Sequence, residues 1–179
     1  FIERNKEHPF FLYFATNDVH VPRVPHPRFA GKSGMGARGD ALIEFDWTVG
    51  QVMETLERLG LRENTLIVLT SDNGPVVDDG YQDQAVELLG EHRPWGAYRG
   101  GKYSSFEAGT RIPFIVSYPG KVKEGVSKAL VSQVDFLASM SELLGVSLTC
   151  DQKKDSREQL STWYGNCLLY TSDAADDLI

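Results

Sequence analysis

The sequence predicts an α/β protein built around an open, mostly parallel sheet, and three observations support that fold class. Two continuous apolar runs, at residues 9–16 and 65–70, have the composition of strands buried on both faces. A long segment of helical period separates them, and a polar loop follows each run. Strand, loop, helix and strand in this order are typical of a crossover unit in a parallel sheet.

The first predicted strand is "PFFLYFAT", residues 9–16, and it leads into "NDVHVPRVPHP". Three prolines in that second segment exclude a helix and regular strand pairing, so we expect an irregular loop. The loop leaves the carboxyl end of the strand. Ligands in open α/β sheets bind beyond those ends, which makes the loop a candidate location for function.

The helical period runs from Asp40 to Leu59, and Gly60 suits its end. The next segment, "NTLIVLTS" (64–71), is predicted to be the second strand. The apolar residues that share the predicted helix stripe are Leu42, Phe45, Val49, Val52, Met53, Leu56 and Leu59.

A long polar loop follows from Val76 to Arg99, and "IPFIVSY" (112–118) is predicted to be the third strand. The segment "SQVDFLASMSELLGV" (132–146) is predicted to be a short amphipathic helix. The residues expected to face the sheet from this helix are Val134, Leu137, Leu143 and Leu144.

Composition and charge narrow the possible partners. The chain has 179 residues, of which 41% are apolar and 11% aromatic, as in a folded domain with a real core. A net charge of −7 argues against a general nucleic-acid binder. No run approaches the roughly 18 apolar residues of a membrane helix. We therefore expect neither a nucleic-acid partner nor a membrane span.

The two ends of the sequence differ from the part between them. Residue 1 is not Met, and the opening shows no signal-peptide pattern, so we expect the natural start to lie upstream. The peptide from Cys167 matches one reading frame of a transposon adapter used in sequencing libraries. We therefore expect residues 1–166 to be part of one catalytic domain and residues 167–179 to be a translated adapter.

Asp72 and Asn73 follow the second strand within "SDNGP" (71–75) and are the first candidate site residues. A carboxylate and an amide carbonyl are hard oxygen donors that suit Ca²⁺ or Mg²⁺. The alternative is that they only form a turn, since Asn-Gly and Gly-Pro are ordinary turn sequences. Two donors are also too few for calcium, which takes roughly six to eight oxygens.

Lys102 and His20 are the other candidates. Lys102 follows Gly100 and Gly101, which let the backbone approach a ligand closely, and its ammonium suits one oxygen of a tetrahedral anion. His20 lies in the proline-rich loop, where an imidazole can bind an anion or protonate a leaving oxygen. The alternatives are a solvated lysine and a structural histidine.

Three blocks together resemble a known family. "FFLYFATNDVHVP", the segment from "GDALIEF" to "TSDNGP", and "RGGKYSSFEAGTRIPFIVSYPG" are similar in order and spacing to the second half of the catalytic domain of formylglycine-dependent sulfatases. The resemblance runs from about Pro9 to Gly145. It implies an alkaline phosphatase-like α/β/α sandwich, present here as a truncated fragment.

The resemblance also implies roles for the candidates. Asp72 and Asn73 would be ligands of a divalent cation, Ca²⁺ first and Mg²⁺ as the alternative. His20 and Lys102 would be catalytic and would bind the sulfate. An extracytoplasmic location, whether periplasmic, secreted or lysosomal, is also implied. The expected partner is a sulfated small molecule or glycan.

The nucleophile of that family is a formylglycine made from the first residue of a Cys/Ser-x-Pro-x-Arg motif. The 179 residues do not contain the motif, since "SYPGK" from Ser117 has lysine in the place of arginine. We therefore expect the formylglycine and further metal ligands upstream of Phe1. The chain alone is then expected to be inactive.

Three alternatives stay open. One is a phosphodiesterase or phosphonate hydrolase of the same superfamily, because phosphate and sulfate esters call for similar cations. Another is a non-catalytic module that binds sulfated glycans, and a third is a chain that exists only as an assembled read.

The loop from Val76 to Arg99 includes His92 and Arg93, which we predict to bind substrate beside the sulfate. The alternative is that this loop is only solvated.

Overall fold

The computed structural model describes residues 1–166, so the predicted adapter segment, 167–179, lies outside the described residues. The chain divides into two compact units, the first spanning Phe1–Ile115 and the second beginning at Val116. The border falls within a strand, after Ile115.

The described residues form helices and one small sheet. In chain order the elements are α1 (Ile2–Asn5), α2 (Gly36–Arg58), a 3₁₀ turn (Arg62–Asn64), β1 (Ile67–Thr70), α3 (Glu107–Thr110), β2 (Phe114–Ser117), a second 3₁₀ turn (Gln133–Asp135), α4 (Phe136–Leu144) and α5 (Leu160–Trp163). β1 and β2 pair with each other in a two-stranded sheet. Within residues 1–166, no helix is both long and apolar enough to cross a bilayer.

The predicted long helix is confirmed as α2, and it ends where the sequence predicted. Gly60 has a left-handed φ of 68°. Its amide donates to the carbonyl of Glu57 at 3.0 Å, and the amide of Leu61 donates to that of Leu56 at 2.8 Å. This pair of bonds is the Schellman arrangement, which satisfies the last carbonyls of a helix.

The start of α2 is fixed by a buried carboxylate rather than by a side-chain cap. Asp40 accepts hydrogen bonds from the Gly31 amide (2.7 Å), the Ser33 amide (2.9 Å) and the Ser33 hydroxyl (2.7 Å). Burial raises the pKa of Asp40, but these hydrogen bonds outweigh it, so the pKa lies below its ordinary value. Asp40 therefore holds the preceding loop against the helix.

The second and third predicted strands are confirmed, as β1 and β2, but the prediction of a first strand at residues 9–16 is wrong for this structure. That segment has no regular secondary structure, and its Tyr13 is 82% exposed. A strand needs a hydrogen-bonded neighbour, and β1 and β2 form a sheet of only two strands. The apolar run instead lies beside α2 across an open groove of about 500 Å³ lined by Leu12, Phe14 and Val52, among others.

The apolar stripe of α2 is only partly buried. Leu56 is fully buried, whereas Leu42 is 36% exposed and the other five residues of the stripe are half-buried. Of the stripe residues, Val52 lines the open groove beside Leu12 and Phe14, which accounts for its own partial exposure.

In the second unit, the predicted helix is confirmed as a 3₁₀ turn followed by α4. Ser132 and Asp135 form a capping box at its start, and Gly145, at φ 65°, ends it. The prediction of which residues face the sheet is wrong, because Val134, Leu137 and Leu144 are 57%, 50% and 72% exposed. Leu143 is half-buried, and the small residues Ala138 and Ser139 are the buried ones in α4.

Candidate functional site

The "SDNGP" turn directly follows β1 and packs against the glycine-rich segment 100–109. The Gly74 amide donates to the carbonyl of Gly109 at 3.0 Å. A Cβ added at Gly74 would lie 1.9 Å from the carbonyl oxygen of Ala108, which is far shorter than any real contact of a Cβ atom. Glycine is thus required here by close approach of two backbones. The contact places Asp72 and Asn73 beside the segment that includes Lys102.

The backbone of Lys102 bonds to the same turn. Its amide donates to the carbonyl of Pro75 at 2.9 Å. A Cβ at the preceding Gly101 would approach that carbonyl oxygen to 2.7 Å, closer than real contacts allow. Two glycines, Gly74 and Gly101, therefore permit the turn and the lysine segment to lie against each other.

His20 comes to Lys102 from a third segment. Its Nε2 lies 3.3 Å from the Lys102 Nζ, and its Nδ1 lies 2.8 Å from the carbonyl oxygen of Val21. The His20 amide donates to the carbonyl of Asn17 at 2.8 Å, which closes the loop around the ring. The ring is exposed. Residues separated by 82 positions thus share one hydrogen bond at the surface.

Asp79 and Tyr103 also belong to this cluster. The Tyr103 hydroxyl donates to Asp79 Oδ1 at 2.5 Å, and Asp79 Oδ2 lies 3.5 Å from the Lys102 Nζ. The hydrogen bond from Tyr103, together with the nearby Lys102 ammonium and against some desolvation, lowers the pKa of Asp79. The same bond raises the pKa of Tyr103. Asp79 is therefore a carboxylate at neutral pH.

Sequence reasoning treated Asp79 as part of the 76–99 loop, a candidate sugar-binding loop, without linking it to Lys102, and did not include Tyr103 among the candidates. Tyr103 directly follows Lys102, has a positive φ of 75°, and is 78% exposed. A left-handed φ is uncommon for a residue other than glycine. Neither contact has a local sequence signal, because Asp79 and Tyr103 lie 24 positions apart.

A buried arginine connects the His20 loop to the Asp79 loop, and sequence reasoning missed it too. Arg23 forms an ion pair with Asp83 at 2.7 Å, with side chains 2% and 14% exposed. Its Nε also donates to the carbonyl of Val19 at 3.2 Å. Because Val19 precedes His20 and Asp83 follows Asp79 by four residues, Arg23 joins the two loops. Burial with a fixed carboxylate partner makes this pair costly to break.

A second buried arginine, Arg38 of α2, donates from Nε to the carbonyl of Val76 at 3.4 Å. Val76 is the first residue of the loop that includes Asp79. Burial, and then the nearby Arg23 cation, lower its pKa. Arg38 and Arg23 together fix the beginning of the 76–83 segment to α2 and to the His20 loop.

The predicted metal ligands meet part of the requirement for a cation. Asp72 is exposed and Asn73 is half-buried, so both oxygens can reach a ligand at the surface. Within residues 1–166, no group of three or more His, Cys, Asp or Glu side chains is arranged to hold a metal. The donor chemistry of Asp72 and Asn73 fits a hard divalent cation, but they supply only two donors.

The structure does not link the two predicted substrate residues of the long loop to this cluster. His92 and Arg93 are exposed, and in the described part of the chain no hydrogen bond or ion pair joins either of them to His20 or Lys102. Their role in substrate binding stays a prediction.

The fold and this cluster define an α/β protein with a cationic site beside an oxygen-donor turn, and comparison with known proteins assigns its family. The sequence profile of the Sulfatase family matches residues 1–146, and the chain belongs to that family.

The chain is similar to several named sulfatases. An N-acetylgalactosamine-6-O-sulfatase of Bacteroides thetaiotaomicron is 61% identical over 92% of this chain and 32% of its own length. The steryl-sulfatase of Rattus norvegicus is 38% identical over 93% of this chain and 28% of its own length. Human arylsulfatase A is 36% identical over 81% of this chain and 27% of its own length. The chain thus spans about a third of the length of the curated relatives it matches.

Solved structures agree. A 6-sulfatase structure from work on glycosaminoglycan metabolism by Bacteroides thetaiotaomicron superposes with a TM-score of 0.90 at 60% identity, over 93% of this chain and 35% of that one. The PsFucS1 sulfatase from Pseudoalteromonas sp. has a TM-score of 0.69 at 32% identity, over 82% and 28%. These matches bear out the resemblance found in the sequence and agree with an alkaline phosphatase-like α/β fold.

Proposed function

We propose that the protein hydrolyses sulfate esters of carbohydrates. The observation that carries this proposal is the convergence of three distant segments: the His20 imidazole lies 3.3 Å from the Lys102 ammonium, and the Lys102 backbone bonds to the turn that includes Asp72 and Asn73. Membership of the Sulfatase family supports the same chemistry over the phosphodiesterase alternative.

Each group has a task in this reaction. A sulfate ester gains charge on its non-bridging oxygens and on the departing oxygen as the ester bond breaks. The Lys102 ammonium is suited to bind a non-bridging oxygen, since it offers charge and N–H donors at one point. In the resting site the His20 Nε2 accepts an N–H from Lys102. Once protonated, Nε2 gives up that bond and is suited to donate to the departing oxygen.

A divalent cation would add charge stabilisation that the side chains alone do not supply. We propose Ca²⁺, with Mg²⁺ as the alternative, held in part by the Asp72 carboxylate and the Asn73 amide oxygen. A formylglycine nucleophile, and a complete α/β/α sandwich with a mostly parallel sheet, would come from sequence outside these 179 residues. The chain alone is therefore expected to bind but not to turn over substrate.

The substrate class rests on the relatives. The relative at 61% identity is named for N-acetylgalactosamine 6-sulfate, and a related structure at 27% identity, with a TM-score of 0.71 over 90% of this chain and 35% of that one, holds a neocarrahexaose. Steryl and aryl sulfatases are less similar, at 38% and 36%. We therefore favour a sulfated glycan, with His92 and Arg93 as candidate sugar contacts. An extracytoplasmic location is proposed on family resemblance.

A segment exchange tests the proposal. Residues 1–146 would replace the matching segment of the Bacteroides N-acetylgalactosamine-6-O-sulfatase, and the chimera would be assayed on a 6-sulfated sugar, an aryl sulfate and a phosphodiester. We expect sulfate release by the chimera and none by the 179-residue chain. Preference for the phosphodiester would reject the proposed reaction.

Single substitutions in the chimera assign the residues. His20→Ala and Lys102→Ala are each expected to lower kcat/KM by about 10²-fold or more. His8→Ala and Lys128→Ala are matched controls, because both residues are exposed and lie outside the cluster. Equal activity of the His20 and control variants would remove His20 from the site.

A further inference from the structure

The side chain of Lys102 is held in place by contacts with other side chains. A lysine side chain has four rotatable bonds and loses about 2 kcal/mol of rotamer entropy when it is fixed. The Lys102 side chain is nevertheless only 16% exposed. Its ammonium contacts His20 Nε2 at 3.3 Å and Asp79 Oδ2 at 3.5 Å. Two polar groups on different segments therefore fix it from two directions.

Asp79 is itself fixed. Its side chain is 8% exposed, and its other carboxylate oxygen accepts the Tyr103 hydroxyl at 2.5 Å. The backbone of Tyr103 is held at a φ of 75°. Such a conformation costs energy for a residue with a side chain and persists only where the surroundings enforce it. Tyr103 thus orients the carboxylate that contacts the preceding lysine.

The loop that includes Asp79 is anchored separately. Arg23 pairs with Asp83 at 2.7 Å and contacts the carbonyl of Val19, next to His20. The two groups that contact the ammonium, His20 and Asp79, therefore lie on loops that one buried arginine connects. Their separation is set by the protein and not by the lysine.

We propose that Asp79, oriented by the Tyr103 hydroxyl, is a positioning residue for Lys102. An ammonium has three N–H donors. In the resting site, with His20 Nε2 unprotonated, His20 and Asp79 engage two of them, which leaves the third for an oxygen of the sulfate. Asp79 does not touch the ester and repels anions at longer range, so its contribution is orientation rather than attraction. This inference concerns the site of the proposed function, and it rests on that function only for the identity of the anion.

The test observes the Lys102 ammonium directly in the full 179-residue chain, without sulfate. In ¹⁵N-lysine-labelled protein, a hydrogen-bonded ammonium exchanges its protons slowly with water, and Lys102→Met identifies its signal. In Asp79→Asn and Tyr103→Phe, we expect proton exchange at Lys102 to accelerate at least about fivefold, the effect of losing one ordinary hydrogen bond. Asp79→Asn is expected to have the larger effect, because it removes the charge that contacts the ammonium.

Matched controls are available in the same loop. Asp78→Asn changes the neighbouring exposed carboxylate, and Tyr81→Phe removes a hydroxyl from a tyrosine that is 52% exposed. Both should leave Lys102 exchange unchanged. The backbone amide of Lys32, which donates to the Phe29 carbonyl at 3.1 Å, serves as the internal reference for folding of the first unit.

The result that would overturn the inference is an unchanged Lys102 signal in Tyr103→Phe or in Asp79→Asn with the Lys32 amide signal intact. Should Asp79→Asn fail to fold, Tyr103→Phe decides, since it keeps the ring and the backbone. Because no sulfate is present, a negative result rejects the positioning role of Asp79 and leaves the hydrolase proposal to its own assay.

Discussion

Gly74→Ala is expected to be strongly destabilising although it adds only one methyl group. The added methyl group would lie 1.9 Å from the Ala108 carbonyl oxygen and 2.9 Å from its carbonyl carbon. Both are backbone atoms, so relief requires the turn and the 100–109 segment to separate. Such forced overpacking costs about 1–3 kcal/mol, and losing the 3.0 Å bond to Gly109 adds about 1 kcal/mol. The expected loss is therefore roughly 2–4 kcal/mol in the free energy of unfolding.

Urea unfolding of the chain, followed by circular dichroism, measures this loss. Gly50→Ala is the control, because Gly50 lies within α2 with no atom within 4 Å of an added Cβ. It should stabilise the protein by about 0.5–1 kcal/mol, since alanine is the better helix former. A Gly74→Ala variant within about 0.5 kcal/mol of the wild type would refute the close-approach reasoning.

Three further outcomes are expected. Asp40→Ala should destabilise the chain by about 2–4 kcal/mol in urea unfolding, because three hydrogen bonds to a charged acceptor are lost. The pKa of Asp40 is lowered in the fold. The stability that the Asp40 carboxylate provides is therefore present above the ordinary carboxyl pKa of about 3.9 and is lost as pH falls through the folded pKa. The wild type and Asp40→Ala should accordingly reach the same free energy of unfolding in acid. Calorimetric titration should show only weak calcium binding, with a Kd of about 10⁻³ M or weaker, abolished by Asp72→Ala; tight binding would contradict a two-donor site. In Asp79→Asn, the pKa of Tyr103 should fall towards its ordinary value in an ultraviolet titration, with Tyr103→Phe identifying its contribution, and an unchanged curve would contradict the hydrogen bond.

Local patterns predicted the elements that depend on local interactions. The period of α2 and its end at Gly60 were readable because helix packing and the Schellman bonds involve residues three to five positions apart. β1 and β2 were readable as short apolar runs next to turn residues. The predicted strand at residues 9–16 failed for the opposite reason, since a strand exists only with a partner and no local feature reveals whether the chain supplies one.

For the site too, the sequence predicted some residues and missed others. His20, Lys102, Asp72 and Asn73 were identified through a resemblance of whole blocks, not from any single residue. Asp79 and Tyr103 were not identified, because their roles depend on contacts 23 and 24 positions apart. A carboxylate in a polar loop has many possible roles, and only the three-dimensional structure shows which cation it meets.

The glycines of the "SDNGP" and "GGKYSS" blocks link these two levels. Gly74, Gly101 and Gly109 each have a backbone oxygen within 2.7 Å of an added Cβ, whereas Gly50 and Gly60 have none within 4 Å. These three glycines therefore mark places where backbones touch: Gly74 and Gly101 join the turn to the 100–109 segment, and Gly109 lies against residues of that same segment. A side chain at Gly74 or Gly101 would push the lysine segment away from the turn, and the bond from the Lys102 amide to the Pro75 carbonyl would then be lost. Backbone approach is the condition on which the arrangement of the charged groups depends.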